Sequence, residues 1–346
     1  MKTKTLTTLL TLPLVLSTAR AGDMSAADVK VSGFGTGALT RTNTSDVLFS
    51  RPLQAGGVGT KPRTGVDSNV GLQVDAGING WLSVTGQGLV RKLETDTYNA
   101  TATLAFAKAR LSDNVSVRAG RVPLAIFLVS DYRNVGYANT MLRPSQEVYA
   151  QVPNDSLDGA DIDWRQDLGA SSLTTQFAYG RSSAKVAGET LTFTNARVLN
   201  LILDQGPFAV RLGRAEATLA LEQGGYALPK AKVSFTALGL TLDWRNVVVQ
   251  SEFTKAQAPG ADTKAWYAMG GYRFGKLLPF VSHSRMTGDI TQTTDSVGLR
   301  WDAFRSADIK FQLDRVKPRD GGLFNQAGPA FRGPVTVGAI AVDFVF

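Results

Sequence analysis

Most of the 346-residue chain divides into sixteen segments of about ten residues in which apolar and polar side chains alternate. A period of two is typical of β-strands that have one apolar and one polar face. Beyond residue 21, no apolar run approaches the length of a membrane-spanning helix, which is about 20 residues. The pattern therefore predicts an all-β protein with strands at 29–39, 67–77, 80–91, 97–111, 114–121, 159–165, 172–181, 196–204, 207–221, 232–245, 246–257, 264–275, 277–287, 293–304, 306–317 and 334–346.

The connections between these strands alternate in length. Every second connection is a short turn, usually with Asn, Asp or Gly, which favour tight hairpins: 78–80, 112–114, 166–169, 204–207, 244–246, 274–276 and 304–306. The others are generally longer, with three short exceptions, and the longer ones are 40–66, 122–158, 182–195, 222–231 and 318–333. This rhythm predicts a transmembrane antiparallel up-and-down β-barrel with both chain ends at the short-turn rim.

The last predicted strand, 334–346, ends the chain on an aromatic residue. Ile340, Val342, Phe344 and Phe346 share one face, which we expect to lie on lipid, while Asp343 points into the barrel. We expect this strand to close the barrel by pairing with 29–39. The ending resembles the last strand of Gram-negative outer-membrane barrels, and the resemblance implies that Phe346 is recognised by the barrel assembly machinery.

The first 21 residues have the pattern of a secretory signal peptide. Lys2 and Lys4 precede a short apolar stretch, and Ala19-Arg20-Ala21 offers small residues for cleavage after Ala21. We therefore assign 1–21 to the signal and 22–346 to the barrel domain. The expected location is the outer membrane, reached through the periplasm, where the barrel contacts lipid and lipopolysaccharide.

Composition argues against several other functions. The chain has one histidine and no cysteine, so a two-histidine or thiolate metal site is excluded and no cofactor is expected. A barrel hydrolase would need a serine on the same strand face as His283, but the positions two away hold Val281 and Arg285. A serine of a neighbouring strand could still serve, but we expect no enzyme activity. After signal cleavage the net charge is +5, from 34 basic and 29 acidic residues. For an exported chain this favours anionic solutes over nucleic acid.

The longest connection, 122–158, is too apolar for a solvated loop, because it begins Val122-Pro-Leu-Ala-Ile-Phe-Leu-Val129. We predict that it folds into the lumen and narrows it, with its charged side chains facing a more basic wall across the constriction. Inward polar positions on the strands, such as Gln87, Gln176, Arg211, Gln250, Glu252, Arg300 and Lys310, would line the pore. The candidate constriction residues are Arg118, Arg121, Asp131, Arg133, Arg143, Glu147, Asp158, Arg211 and Arg300.

The chain resembles the Gram-negative general porins of the sixteen-stranded, trimeric type. The segment Val117-Arg-Ala-Gly-Arg121 is similar to the motif that precedes their inward-folded third loop. The resemblance implies that Arg121 stands at the base of that loop, that Asp131 and Glu147 are eyelet acids, and that the protein is a homotrimer. The chain departs from the family in lacking the Pro-Glu-Phe-Gly-Gly loop element and the basic residues that often begin the fourth strand.

A barrel of sixteen strands leaves a water-filled lumen. We therefore expect passive diffusion of small hydrophilic solutes, with a weak preference for anions. Two alternatives are also compatible with the sequence: a substrate-specific outer-membrane channel, or a closed surface barrel that serves as an adhesin or anchor.

Overall fold

The computed structural model describes residues 28–54, 56–93, 96–186, 189–223, 226–227, 229–328 and 330–346. The predicted signal peptide and its cleavage site lie outside these residues. Among the residues described, no helix is both long enough and apolar enough to span a membrane.

The described residues form one closed antiparallel β-barrel of sixteen long strands. Each long strand pairs with its neighbours in sequence, and β17 pairs with β1 to close the barrel. A two-residue strand, β10, pairs with the end of β9. The strands are β1 Val29–Thr42, β2 Asn69–Gly77, β3 Leu82–Lys92, β4 Tyr98–Arg110, β5 Val115–Pro123, β6 Ser156–Leu168, β7 Ser171–Val186, β8 Glu189–Gln205, β9 Phe208–Gln223, β10 Tyr226–Ala227, β11 Ala231–Trp244, β12 Val247–Ala258, β13 Ala261–Tyr272, β14 Leu277–Thr287, β15 Thr291–Trp301, β16 Ala307–Arg319 and β17 Val335–Val345.

The sequence prediction of sixteen strands and a closed barrel is confirmed, but one predicted loop is wrong. The sequence predicts a long connection at 182–195, whereas β7 and β8 remain paired as far as Val186 and Glu189. The segment Thr190-Leu-Thr-Phe-Thr194 continues the alternation of a strand. The register shift that follows it, together with Asn195 at φ 51°, is a β-bulge that allows pairing to continue.

The outer surface of the barrel is apolar, and aromatic side chains lie at the short-turn rim. Large side chains remain exposed on the outward faces of most long strands, as expected for contact with lipid. Aromatic residues lie where these strands meet the short turns, a position that suits amphipathic rings at a membrane interface: Trp81, Trp164, Phe208, Trp244, Tyr272, Phe274, Trp301 and Phe304.

The closing seam between β1 and β17 depends on two glycines. The backbones of Gly33 and Phe346 exchange two hydrogen bonds, of 2.9 and 3.0 Å. The rings of Phe346 and Phe344 cover Gly33 and Gly35, and a Cβ atom at either glycine would overlap the ring above it. Asp343, on the opposite face, is fully buried inside the barrel. The predicted pairing and facing of the last strand are therefore confirmed.

We expect Gly33→Val to displace the ring of Phe346 and to lower the free energy of unfolding by about 1–3 kcal/mol. The matched control is Gly37→Val, on the same face of β1, where an added Cβ meets open space. The control should leave stability unchanged or slightly raise it, because glycine weakens a strand interior. Urea unfolding of the folded barrel in lipid vesicles measures both, and equal stability of the two variants would contradict this account of the seam.

Candidate channel constriction

The loop between β5 and β6, residues 124–155, lies inside the barrel, as predicted. Its first part, Leu124–Val129, is buried, and so are Val148 and Tyr149. These side chains pack against apolar side chains on the inner faces of the wall, including Phe235, Tyr267, Met269 and Phe280. The loop contains three short helices, Ser130–Tyr132, Gly136–Ala138 and Gln146–Tyr149. Burial of this much apolar surface holds the loop against the wall.

An aromatic cluster joins the two halves of the loop to the wall. The ring of Phe127 stacks on Tyr149 with centroids 4.6 Å apart and meets Phe235 of β11 edge-on at 5.0 Å. The guanidinium of Arg133 lies over both loop rings, at 5.7 and 5.6 Å from their centroids. It also donates hydrogen bonds to the carbonyl oxygens of Val152 and Tyr149. Arg133 therefore stabilises the loop's own fold.

Two buried charged side chains of the wall bind the loop near Leu128. The carboxylate of Glu252 on β12 accepts hydrogen bonds from the Leu128 N–H at 2.9 Å and from the Tyr149 hydroxyl at 2.7 Å. Arg211 on β9 donates to the Leu128 carbonyl at 3.0 Å and to Asn200 at 2.9 Å. These bonds satisfy polar groups that burial would otherwise leave unpaired.

The middle of the loop rests on the closing seam. Lys310 Nζ donates to the Gly136 carbonyl at 2.6 Å and forms a salt bridge of 2.8 Å with Asp343. Asp343 also accepts a hydrogen bond from Thr36. A Cβ atom at residue 136 would overlap Asp343 and Thr36, so only glycine allows the backbone to approach this closely. Beside it, Arg300 donates to the carbonyls of Tyr137 and Asn139.

Arg143 connects the long loop to the first loop and to β16. Its guanidinium donates to Asp67 at 2.9 and 2.8 Å and to Asp314 at 2.5 Å, and it lies 5.0 Å from the ring centroid of Phe49. Burial by itself would raise the pKa of Asp67, but Arg143, together with Arg51 and Thr40, outweighs it and lowers that pKa below its usual value. Because only 3% of the Arg143 side chain is exposed, this side chain cannot contact a passing solute.

Glu147, predicted as an eyelet acid, is instead buried between the loop and the wall. Its carboxylate accepts hydrogen bonds from Ser284 at 2.7 Å, Gln292 at 2.8 Å and Thr294 at 2.5 Å. Its exposure is 1%, and among the described residues it has no salt bridge. The prediction failed because residues of β14 and β15 provide enough donors to bury a carboxylate, which alternation within the loop cannot reveal.

Arg121 and Asp158 are corrections to the predicted site, because both lie on the outer face of the barrel. Their neighbours Val122 and Leu157 are fully buried inside, so the strand alternation turns Arg121 and Asp158 outward. The two form a salt bridge of 2.6 Å, and each side chain is 40% exposed. Counting by twos from Val122 would have placed Arg121 outside; the resemblance to the porin motif placed it at the correct point in sequence but on the wrong face.

Three of the predicted residues come together beside the open part of the lumen. Asp131 is 38% exposed and lies 3.3 Å from Arg211. Arg118, on β5, makes a two-pronged bond to Asp161, with contacts of 2.9 and 2.6 Å, and is 17% exposed. Asp131 is close enough to Arg118 and Asp163 to interact with them electrostatically. Acidic and basic groups therefore occupy the same level of the barrel.

Sequence reasoning missed Asp67 and misjudged Glu252 and Lys310. The latter two do face inward, as their alternation indicates, but the loop covers them, so they do not line water. Asp67 binds a side chain 76 positions away in the sequence, and no local pattern signals that contact. The buried charges on this wall hold the loop rather than contact solutes.

No family model matches the chain, and no curated protein sequence matches it. Its structure is similar to OmpF of Salmonella typhi in complex with daunomycin, with 14% identity and a TM-score of 0.62 over 93% of this chain and 98% of that one. An anion-selective porin from Comamonas acidovorans has 16% identity and a TM-score of 0.58 over 92% of this chain and 100% of the porin. The trimer form of OmpT from Vibrio cholerae has 12% identity and a TM-score of 0.60 over 93% and 100% of the two chains.

The chain has the fold of the sixteen-stranded outer-membrane porins. The likeness extends over the whole closed barrel. At these identities the comparison concerns architecture alone, so the roles of individual side chains rest on the contacts described above.

The salt bridges of Asp155 with Arg91 and Arg133 predict that the long loop becomes mobile at acid pH. Burial by itself would raise the pKa of Asp155, but Arg91 at 2.7 Å and Arg133 at 3.3 Å outweigh it and hold that pKa at about 2. The lowered pKa corresponds to about 2 kcal/mol of stabilisation. This contribution is complete above about pH 4, the usual pKa of a free aspartate, and it is lost as the pH falls from there to about 2.

A spin label at Val135→Cys, in a chain without native cysteine, reports this change. We expect the label to remain immobile down to about pH 4 and to become mobile between there and about pH 2. Asp155→Asn with the same label should show no transition in that window. An identical transition in both proteins would assign the change to another carboxylate.

Proposed function

We propose that this protein is an outer-membrane channel through which small hydrophilic solutes diffuse passively. One observation carries the proposal: the long loop covers one side of the inner wall and leaves the other side accessible. Inward side chains of β12–β17 are buried beneath the loop, among them Glu252, Tyr267, Lys310 and Asp314. Inward polar side chains of β2–β6 remain partly exposed: Gln73, Asp75, Thr85, Gln87, Lys108, Arg118 and Asp163. A polar surface inside an apolar-coated barrel is what a water-filled channel requires.

The narrowest part of this channel would lie between Asp131 on the loop and Arg118 on the wall. Lys108, Arg118 and Arg211 provide three positive charges at this level, and Asp131, Asp161 and Asp163 provide three negative charges. A balanced set orients dipolar solutes but selects weakly by charge. We propose a weak preference for anions, which the excess of basic residues in the chain supports.

Planar-bilayer recording tests the channel. The proposal predicts large, stepwise, ohmic conductances that are not blocked by any single small solute. Conductance that saturates with one solute would indicate a substrate-specific channel instead of passive diffusion. The absence of conductance would favour a closed barrel that serves as an adhesin or anchor.

Asp131→Asn should shift the reversal potential in a KCl gradient towards the chloride potential, because it removes the one exposed acid that the loop presents beside Arg118. The matched control is Glu147→Gln, which removes the same charge from a buried position in the same loop. The control should keep the parent reversal potential. Equal shifts in both variants would mean that the net charge of the protein, not its position, sets the selectivity.

We also propose that the protein is a homotrimer. The similar OmpT structure is a trimer form, and the outward faces of β4 and β5 carry small side chains (Ala105, Ala107, Ala109 and Ala119) that allow close approach of another barrel. Light scattering in detergent should give the mass of a particle that contains three copies of the chain. Ala107→Trp should dissociate them, and Leu240→Trp, on an outward face elsewhere on the barrel, should not. A monomeric parent protein would contradict the proposal.

The proposal contains no enzymatic step. His283 Nδ1 lies 2.7 Å from Asp295 on the outer face of the barrel. Ser282 and Ser284 point inward, and among the described residues no serine hydroxyl is bonded to His283. A histidine and a carboxylate without a nucleophile do not form a hydrolytic triad.

A further inference from the structure

The first loop, the long loop and the end of β3 meet inside the barrel near the long-loop rim, and each brings an arginine to this place. Arg51 lies in the connection between β1 and β2, Arg91 faces inward from the end of β3, and Arg133 lies in the long loop. We call these three residues the mouth arginines. They lie close enough to one another to interact electrostatically.

The mouth arginines lie on the outer side of the proposed constriction. The register places Ser83 of β3 opposite Lys108 of β4, and Lys108 opposite Arg118 of β5. Arg91 follows Ser83 by eight residues along β3, in the direction of the long-loop rim. A solute from the long-loop side would therefore meet the mouth arginines before it reached Arg118.

Arg51 is held in place by its backbone and not by its side chain. Its N–H donates to the side-chain oxygen of Gln54 at 2.9 Å, and its carbonyl oxygen accepts from the Gln54 N–H at 3.1 Å. Gln54 in turn donates to the carbonyl oxygens of Gly65 and Val66, at 3.1 and 2.9 Å. The Arg51 side chain is half-buried, yet within the described part of the chain its guanidinium has no hydrogen bond and no salt bridge. A cation withdrawn from water in this way favours an anionic partner.

The other two mouth arginines share one carboxylate. Asp155 forms salt bridges with Arg91 at 2.7 Å and with Arg133 at 3.3 Å. Arg91 also donates to the Asn134 side chain at 3.1 Å. Its Nε–H, however, is buried and has no hydrogen-bond partner among the described residues. A second donor therefore remains free near Arg51.

The carboxylates around Arg51 do not neutralise it. Asp67 interacts with Arg51 electrostatically, but two hydrogen bonds from Arg143 already occupy its oxygens. Burial and the charges of the neighbouring arginines outweigh Asp67 and lower the pKa of Arg51 to about 10, so this side chain remains charged at neutral pH. The group as a whole has a net charge of +1, since four arginines face three carboxylates: Arg51, Arg91, Arg133 and Arg143 against Asp67, Asp155 and Asp314.

We propose that the mouth arginines form a binding site for a small organic monocarboxylate, which Arg51 contacts directly. The planar fork of a guanidinium matches the two oxygens of a carboxylate. A carboxylate also carries the single negative charge that the group lacks, whereas a phosphate monoester carries more than one at neutral pH. The proposal names a substrate class for the channel and rests on the proposed function only for the way in which the solute reaches the site.

Fluorine NMR of fluoroacetate with the folded barrel in detergent tests the site. We expect the protein to broaden the fluoroacetate signal and an excess of acetate to narrow it again. Fluoroacetamide has a similar size but no charge, so its line width should not change. Arg51→Gln should bind fluoroacetate about tenfold more weakly or worse, because a hydrogen bond to a charged group contributes at least about this factor. Arg51→Lys should fall between parent and Arg51→Gln, since an ammonium keeps the charge but not the two parallel donors.

The matched control is Lys61→Gln, which removes the same charge from an exposed position in the same loop and should keep parent affinity. Urea unfolding separates binding from stability. Arg51→Gln should be at least as stable as the parent, because the Arg51 side chain makes no bond within the described residues and is repelled by the arginines around it. Equal weakening in Arg51→Gln and Lys61→Gln, or no broadening with the parent protein, would overturn the site.

Inorganic phosphate that displaces fluoroacetate at lower concentrations than acetate does would overturn the assignment to carboxylates. Planar-bilayer recording distinguishes this proposal from the proposed function. Fluoroacetate binding without conductance would support the site and contradict the channel. Conductance without fluoroacetate binding would support the channel and overturn the site.

Discussion

The structure depends on pairing every backbone group of a sheet whose outer surface is apolar. In a hydrocarbon environment an unpaired N–H or C=O group costs several kcal/mol, so a sheet can be stable there only if it has no free edge. The β1–β17 pairing removes the last edge, and it requires the rings of Phe344 and Phe346 to cover glycines of the first strand. The seam also supports the interior, because Asp343 and Lys310 beneath it hold the long loop at Gly136.

The long loop is held against one side of the inner wall, and this divides the wall into a covered and an uncovered side. Apolar packing determines which side of the wall the loop covers, and buried charges such as Glu252 and Arg143 determine where along that wall it rests. Such buried charges stabilise only when fully paired, so they favour one loop position over others that apolar packing alone would tolerate. The uncovered wall can then keep polar side chains in water without loss of stability.

Much of this fold could be predicted from sequence because a β-strand has a period of two. Alternation identified all sixteen long strands and both faces of β17, and the apolar start of residues 122–158 identified the loop that lies inside. Alternation reports only which face of the sheet a side chain occupies. It could not show that the loop buries Glu252 and Lys310, nor that Asp67 pairs with Arg143, because those facts depend on contacts far apart in sequence. The porin-like motif predicts an inward Arg121, whereas the alternation of β5 correctly predicts that it faces outward.

The continued pairing of β7 and β8 has a geometric consequence for the entrance. These strands have 16 and 17 residues, whereas β2 and β5 have 9 each. At about 3.3 Å per residue, the difference of seven or eight residues makes β7 and β8 about 25 Å longer than β2 and β5 along the strand, and the tilt of the strands makes the difference in height smaller than this. The rim at the long-loop end is therefore uneven, because the wall at β7 and β8 extends beyond the wall at β2 and β5.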